Sequence, residues 1–284
     1  MPKLKLSEKE LADILADYNN GMSMGNVAKK YHHNARTLKR YFLEHNIHVR
    51  NMTEALEASK KKEEGDLKKR KYYVNDSFFS EQNSEMAYLL GFLMADGNVS
   101  KKGNRVQIAL SAIDKDFLVQ VQEKIGGSQV VDFIVNNKPY VRWECMSSKI
   151  KKDLIEYDVI PRKTGFEKIP KKLNEEYYPD FIRGFFDGDG SIYEDNAVGL
   201  NFTSHSKEIL QNILGAFEKM GVPPVTLHDD TSHPGNYYIR YRTKAALKIY
   251  EIFYKGENCF KLQRKYDKFT QIVQKKKGSK RLRT

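Results

Sequence analysis

The chain of 284 residues is long enough for two or three domains with a substantial core. Its 49 Lys and Arg exceed its 37 Asp and Glu, and the formal charge of +12 favours a polyanionic partner, nucleic acid first, over a basic surface that serves solubility alone. Two cysteines without zinc-ligand spacing argue against a disulfide framework or a structural zinc, and no apolar run can span a bilayer, so we expect a cytoplasmic protein without a membrane partner.

Residues 1–50 are predicted to form an all-α module of three helices. Ser7 and Ser23 suit the N-caps of the first two helices, and the third begins at Ala35 after a short turn. Three basic residues lie on the polar side of this third helix: Arg36, Lys39 and Arg40. A short helix, a turn and a basic helix are typical of a helix-turn-helix domain that enters the major groove. An ordinary three-helix bundle without DNA contacts is the alternative.

Residues 51–83 are predicted to be a basic linker, because Lys60 to Lys71 is dense in charge and poor in apolar residues. It either lies along a phosphate backbone or forms a solvated helix. Residues 275–284 are predicted to be a frayed basic tail.

A motif occurs twice between linker and tail. Leu89 to Gly97 and Phe181 to Gly190 are apolar, helix-like runs with small residues four apart, and each ends in Asp-Gly. Small residues at i and i+4 share a helix face, so the two helices can pack backbone to backbone. Asp96 and Asp189 would then emerge side by side, as a shared metal site requires.

The segments after each motif also repeat. Each contains two extended runs, a helix that ends at glycine, a hairpin with its turn near Asn136 or His233, and a closing helix. The repeat length is 93 residues, from Gly91 to Gly184 (184 − 91). We therefore predict an α+β fold of two pseudo-symmetric αββαββα halves, residues 84–178 and 179–274.

Both motifs resemble those of the LAGLIDADG homing endonucleases, and the resemblance extends over roughly residues 84 to 275. It implies that each half lays a curved antiparallel sheet over DNA, so that the two together form a saddle. It also implies that Asp96 and Asp189 bind divalent metal near the two scissile phosphates. Met94 stands where the family often has an acid, as Asp187 does in the second copy; that position need not bind metal.

The metal expected at this site is Mg²⁺, since hard oxygen ligands suit it and it also takes phosphate oxygens directly. Mn²⁺ should substitute, and Ca²⁺ should support binding without cleavage. In each half a backbone carbonyl is a further candidate ligand, from Ala95 or Gly97 and from Gly188 or Gly190. The alternatives are an Asp-Gly turn that only ends the helix and a calcium loop. The helix macrodipole disfavours an acid at a helix C-terminus, which argues against a turn that only ends the helix. The segment around Asp189 does not match the EF-hand pattern, which argues against a calcium loop.

Each half also ends in an Arg-Lys pair, at Arg162-Lys163 and Arg264-Lys265. Both resemble the family segment that supplies an active-site lysine, so Lys163 and Lys265 are candidate catalytic residues that stabilise phosphate charge or help activate water. A surface Arg-Lys pair is the alternative in so basic a chain.

DNA contacts are expected from polar side chains on the concave sheet faces, because amides, hydroxyls and guanidinium groups recognise base edges in the major groove. Strand alternation from each motif acid gives candidates in both halves, and the later hairpins add three arginines whose strand phase is ambiguous. The full set is Asn98, Ser100, Lys102, Arg105, Gln107, Ser191, Tyr193, Asn201, Thr203, Arg142, Arg240 and Arg242.

Together these features predict a monomeric, site-specific double-strand DNA endonuclease that needs no protein partner. The halves differ at most contact positions, so its target should be long and not palindromic. A catalytically silent DNA-binding regulator and an RNA maturase on the same fold are the alternatives. Splice-junction residues of an intein are absent at the two ends, so intein embedding is not expected.

Overall fold

Two four-stranded antiparallel sheets, each backed by helices, form most of the computed structural model. The structure describes residues 4–51, 53–55, 72–194, 198–255 and 260–281. The chain divides into two compact units, residues 1–71 and 72–284. No helix within the described residues combines the length and the apolarity needed to cross a membrane.

The first unit contains three short helices: α1 (Glu8–Asn19), α2 (Met24–Lys30) and α3 (Ala35–Glu44). The side chains of Ser7, Ser23 and Asn34 accept backbone N–H bonds at their N-termini, which satisfies donors that the helix itself leaves unpaired. One face of each helix is buried around Leu38 and Phe42. The three basic residues predicted for DNA contact lie exposed on α3: Arg36, Lys39 and Arg40.

The second unit repeats one order of elements. Its first half comprises α4 (Ser84–Asp96), β1 (Gly97–Val99), β2 (Arg105–Ser111), α5 (Lys115–Ile125), β3 (Val131–Val135), β4 (Lys138–Met146) and α6 (Ser148–Glu156). Its second half comprises α7 (Tyr178–Asp189), β5 (Ser191–Glu194), β6 (Val198–Ser204), α8 (Lys207–Lys219), β7 (Leu227–Asp229), β8 (Tyr237–Arg242) and α9 (Thr243–Phe253). The strand orders are β1-β2-β4-β3 and β5-β6-β8-β7. The predicted α+β fold of two αββαββα halves is confirmed.

The motif helices α4 and α7 pack backbone to backbone at the centre of this unit. A Cβ atom added at Gly91 would lie 2.0 Å from the main-chain oxygen of Phe181, and one added at Gly184 would lie 1.9 Å from that of Tyr88. Gly188 in turn faces Ala95. Only residues without side chains allow such an approach, so the four-residue spacing of small residues predicted this contact correctly.

Each sheet has a face buried against helices and a second face, here called the open face. Along β2 the burial alternates, with Val106, Ile108 and Leu110 in the core. The same alternation along β4 and β8 buries Val141, Trp143, Ile239 and Tyr241. It therefore resolves the strand phase that the sequence left ambiguous: Arg142, Arg240 and Arg242 lie on the open faces.

Two predicted boundaries differ from the structure. Residues 72–83 of the predicted linker belong to the second unit, where Val74 bridges Gly126 and Phe79 is buried in the core; the charged stretch at residues 60–71 lies outside the described residues. A further helix, α10 (Gln263–Arg281), follows the second repeat. The tail predicted from residue 275 is therefore helical to Arg281, because Lys and Arg have good helix propensity and extend a helix that packing has already formed. Residues 282–284 lie outside the described part.

Candidate metal centre and nucleic-acid interface

Two carboxylates meet at one end of the central helix pair. Asp96 is the last residue of α4 and Asp189 the last of α7. Asp189 is half-buried, and burial raises its pKa to about 7, with the neighbouring Asp96 carboxylate as the second cause. The Asp96 side chain keeps more solvent contact, yet partial desolvation also raises its pKa, against the opposing charges of Lys265 and Lys163. Two neighbouring carboxylates repel each other when both are ionised, so a cation bound between them would be stabilising.

The two predicted lysines both reach this end of the helix pair, in unlike surroundings. Lys163 lies in an irregular turn after α6 and donates a 2.7 Å bond to the main-chain oxygen of Gly97. Lys265 lies in the first turn of α10, and only 7 % of it is exposed. Its Nζ lies within hydrogen-bonding distance of four main-chain oxygens at the end of α7, those of Phe186 (2.7 Å), Asp187 (2.8 Å), Gly188 (3.4 Å) and Gly190 (2.6 Å).

Burial lowers the pKa of both lysines, that of Lys265 to about 8. Nearby carboxylates oppose the shift, Asp189 first for Lys163 and Asp187 first for Lys265. The C-terminus of α7 carries Asp189, an acid that the helix dipole disfavours. The buried Lys265 ammonium supplies positive charge there and satisfies carbonyl oxygens that the helix leaves unpaired.

Asp187 has a different environment from the motif-ending acids. It is fully buried, and its Oδ2 accepts bonds from the Tyr88 hydroxyl (2.7 Å) and the Leu262 N–H (2.8 Å). Burial raises its pKa. It joins α4, α7 and the segment before α10 from within the core, whereas the equivalent Met94 is an apolar core residue.

The open faces lie beside the acids and carry most of the predicted contact residues, whereas Ser100 and Lys102 lie in the loop between β1 and β2. Asn98 pairs with Gln107 across β1 and β2, and Ser191 pairs with Asn201 across β5 and β6. Thr203 donates a 3.2 Å bond to the main-chain oxygen of Asp189. In the first half a cleft of about 490 Å³ is lined by five basic residues and by no acid among the described residues that form it: Lys101, Lys102, Arg105, Arg162 and Lys163. Ser100 lies in the same cleft.

The donor set fits a hard divalent cation. The two motif acids and the carbonyls at the helix ends offer oxygen only, and the described residues contain no group of three or more His, Cys, Asp or Glu that could enclose a metal ion. Carboxylate and carbonyl oxygens are the ligands that a hard divalent cation prefers. Asp96 and Asp189 are therefore the residues that would hold it.

Two segments of the chain match a protein-family model. The model of the LAGLIDADG-like domain matches residues 83–125 and 176–256. The chain carries a LAGLIDADG-like domain. The matched segments include both motif helices and, in the second half, nearly all of the elements that follow the motif.

Two curated proteins are similar to part of this chain at low identity. The uncharacterised proteins MJ0398 and MJ0314 of Methanocaldococcus jannaschii are 27 % identical over 138 residues (45 % of this chain, 48 % of the relative) and 32 % identical over 121 residues (39 % and 42 %). The chain thus spans less than half the length of these curated relatives.

Solved structures are similar at TM-scores below 0.5. Full-length DUF199/WhiA from Thermotoga maritima has a TM-score of 0.46 at 15 % identity, over 71 % of this chain and 64 % of that one. The homing endonuclease I-GzeII in complex with its DNA target has a TM-score of 0.46 at 15 % identity, over 72 % and 94 %. I-DmoI in complex with DNA and Mn has a TM-score of 0.41 at 16 % identity, over 63 % and 98 %.

Two buried acids near Asp96 and Asp189 escaped the sequence analysis, Asp114 and Glu167. Arg264, from α10, donates from Nε to both carboxylate oxygens of buried Asp114 (2.9 and 3.0 Å), which joins the second half to the first. Glu167 is buried and accepts the Gly165 N–H (2.8 Å), and its charge acts on Lys163 and Asp189. The Arg264-Lys265 pair was visible in the sequence, but nothing there marked Asp114 or Glu167.

Proposed function

We propose that this protein is a metal-dependent endonuclease that cleaves both strands of a long, non-palindromic double-stranded DNA target. The observation that carries the proposal is the pair of motif-ending acids, Asp96 and Asp189, which two packed helices bring to one end between two polar sheet faces. Burial next to another carboxylate raises the pKa of Asp189 to about 7, and a bound cation would offset the cost of ionising both acids. One chain carries both acids, so a monomer suffices.

A divalent ion held by Asp96 and Asp189, Mg²⁺ with Mn²⁺ as substitute, would orient a water nucleophile and neutralise phosphate charge. The ionised form of both carboxylates is the form that binds it. Main-chain oxygens at the helix ends, of Ala95 or Gly97 and of Gly188 or Gly190, are available as further ligands. Ca²⁺ is expected to support DNA binding without cleavage.

The two lysines have different proposed roles. Lys163 is half-buried, borders the basic cleft and donates one described hydrogen bond, to the main-chain oxygen of Gly97. Its remaining N–H groups suit a phosphate oxygen, and such a donor stabilises the charge that develops during hydrolysis. Lys265 holds the end of α7, and thereby the position of Asp189.

Double-stranded DNA is the proposed substrate because both open faces present amide, hydroxyl and guanidinium groups beside the acids. The formal charge of +12 supports binding to phosphate. We further propose that the first unit is a helix-turn-helix domain that adds affinity and target length through Arg36, Lys39 and Arg40, which are exposed on α3.

The test is cleavage of a randomised DNA library in Mg²⁺, followed by sequencing of the cleaved ends. Asp96→Asn and Asp189→Asn should each abolish cleavage of at least one strand while target binding in Ca²⁺ persists. Asp116→Asn is the matched control, because Asp116 is an exposed acid on α5 that belongs to neither motif. Near-normal double-strand cleavage by either motif variant would contradict the assignment.

Selective DNA binding without cleavage by the wild-type chain, in Mg²⁺ and in Mn²⁺, would instead favour the catalytically silent regulator. Selective enrichment of RNA over DNA would favour a maturase.

A further inference from the structure

The two sheets can be aligned residue by residue through their strand pairing. Asn98 and Ser191 each stand two residues after the motif acid. Asn98 pairs with Gln107, which pairs with Glu144 on β4. Ser191 pairs with Asn201, which pairs with Arg240 on β8. The row Asn98–Gln107–Glu144 in the first half therefore corresponds to the row Ser191–Asn201–Arg240 in the second.

These corresponding rows keep a hydrogen-bonding side chain on the first strand and an amide on the second, but they reverse charge on the third. Glu144 occupies the position in the first half that Arg240 occupies in the second. Both side chains lie on the open faces, since their neighbours Trp143, Cys145, Ile239 and Tyr241 are buried. The reversal is thus a difference between surfaces and does not reflect a change in core packing.

Each charge is held by its own neighbours. The Arg240 guanidinium lies 5.4 Å from the ring centroid of Tyr193 and 5.2 Å from that of Tyr238. Rings on which a guanidinium stacks reduce its side-chain freedom and keep its fork of donors aimed. Glu144 stands 4.0 Å from the Nε of Arg142 on the same strand, a contact long enough to leave most of the carboxylate's accepting capacity unused.

An acid on a surface that faces DNA is repelled by phosphate, so it is useful only where it meets a hydrogen-bond donor on a base edge. In the major groove that donor is the N4 amino group of cytosine, whereas an arginine fork matches O6 and N7 of guanine. The third position of the row would therefore recognise guanine in one half-site and cytosine in the other.

We propose, on the basis of the proposed DNA-binding function, that Glu144 and Arg240 are specificity-determining residues that break the palindromic symmetry of the target. Arg240 selects guanine in the half-site under the second sheet. Glu144 selects cytosine at the corresponding position, on the corresponding strand, under the first sheet. A palindrome would present the same base to both positions, so the preferred target departs from two-fold symmetry at this pair.

The experiment is selection of bound sequences from a randomised double-stranded DNA library by the full-length protein in Ca²⁺ and, in parallel, without divalent metal. Arg240→Gln should reduce the preference for guanine at one position by about 5- to 150-fold, the range expected for one bidentate base contact. Glu144→Gln should relax a cytosine preference at the corresponding position. Glu144→Arg should convert that preference to guanine and make the selected target more nearly palindromic.

Two control variants, Lys244→Gln on α9 and Glu123→Gln on α5, remove exposed charges from helices behind the sheets and should leave every base preference unchanged. Fluorescence of the buried Trp143 checks that each variant is folded. A uniform loss of affinity for all sequences in Arg240→Gln would mean a phosphate contact and overturn the inference. The inference would also be overturned if the Glu144→Arg variant still bound DNA and still preferred cytosine at that position. If no sequence were enriched at all, the proposed function would fail together with the inference.

Discussion

Replacement of Gly184 by alanine should force the two motif helices apart. The new Cβ would lie 1.9 Å from the main-chain oxygen of Tyr88, whereas ordinary contact begins at 3.4 Å. The backbones must therefore separate by about 1.5 Å (3.4 − 1.9) or distort to the same extent. Overpacking typically costs about 1 to 3 kcal/mol. Because the obstacle is the backbone of a buried helix and not a movable side chain, we expect about 3 kcal/mol, the upper end of that range.

Urea and thermal unfolding followed by tryptophan fluorescence would measure this cost. The chain has one tryptophan, Trp143, buried in the second unit, so the signal reports that unit. A loss of about 3 kcal/mol corresponds to a fall in Tm of roughly 6 to 12 °C for a unit of this size. Gly215→Ala is the matched control. It lies within α8, where an added Cβ meets nothing within 4 Å, so it should stabilise by about 0.5 to 1 kcal/mol. Equal effects of the two substitutions would refute the close-packing argument.

Three further predictions concern charge. Lys265→Met should destabilise the second unit by about 3 kcal/mol, because it leaves buried carbonyls at the end of α7 unpaired. Lys163→Met removes one described hydrogen bond and should cost under about 1.5 kcal/mol. Similar urea midpoints for the two variants would contradict this prediction. The raised pKa of Asp189 means that the folded, metal-free protein binds this proton more tightly than the unfolded chain does. The resulting stability is present at low pH and lost as pH rises from about 4 to about 7, so the urea midpoint should fall across this window and Asp189→Asn should flatten the profile. Deletion of residues 1–71 should weaken DNA binding, shorten the footprint and reduce the salt dependence while cleavage persists at high protein concentration; an unchanged footprint and salt slope would assign that unit another role.

The sequence was sufficient for features that depend on local periodicity. Small residues four apart predicted the contact between Gly91 and the backbone of α7, and period-two alternation predicted which side of β2 is buried. Helix caps at Ser7 and Ser23 followed from the same kind of short-range chemistry.

Features that depend on distant partners could not be predicted in this way. Which side chains of β4 and β8 face the core is set by the register in which these strands pair with β2 and β6. A strand of mixed polar and apolar residues does not reveal that register by itself. The contact of Arg264 with Asp114 joins residues 150 positions apart. The burial of the Lys265 amine among the carbonyls of α7 could not be foreseen either, because a surface Arg-Lys pair would look the same in so basic a sequence.

The burial of α4 has a consequence for how the protein is made. Every residue from Met86 to Met94 is buried, so this helix is apolar on all sides. Its partner α7 follows 93 residues later, counted between Gly91 and Gly184 (184 − 91), which at ribosomal speeds is a delay of about 5 to 20 s. Through that interval the emerging first half exposes the surface that α7 will cover, and another nascent chain or a chaperone can occupy it first. Fusion of the two halves thus makes their pairing depend on the order of synthesis, and slower translation between residues 97 and 178 should increase the insoluble fraction of the product.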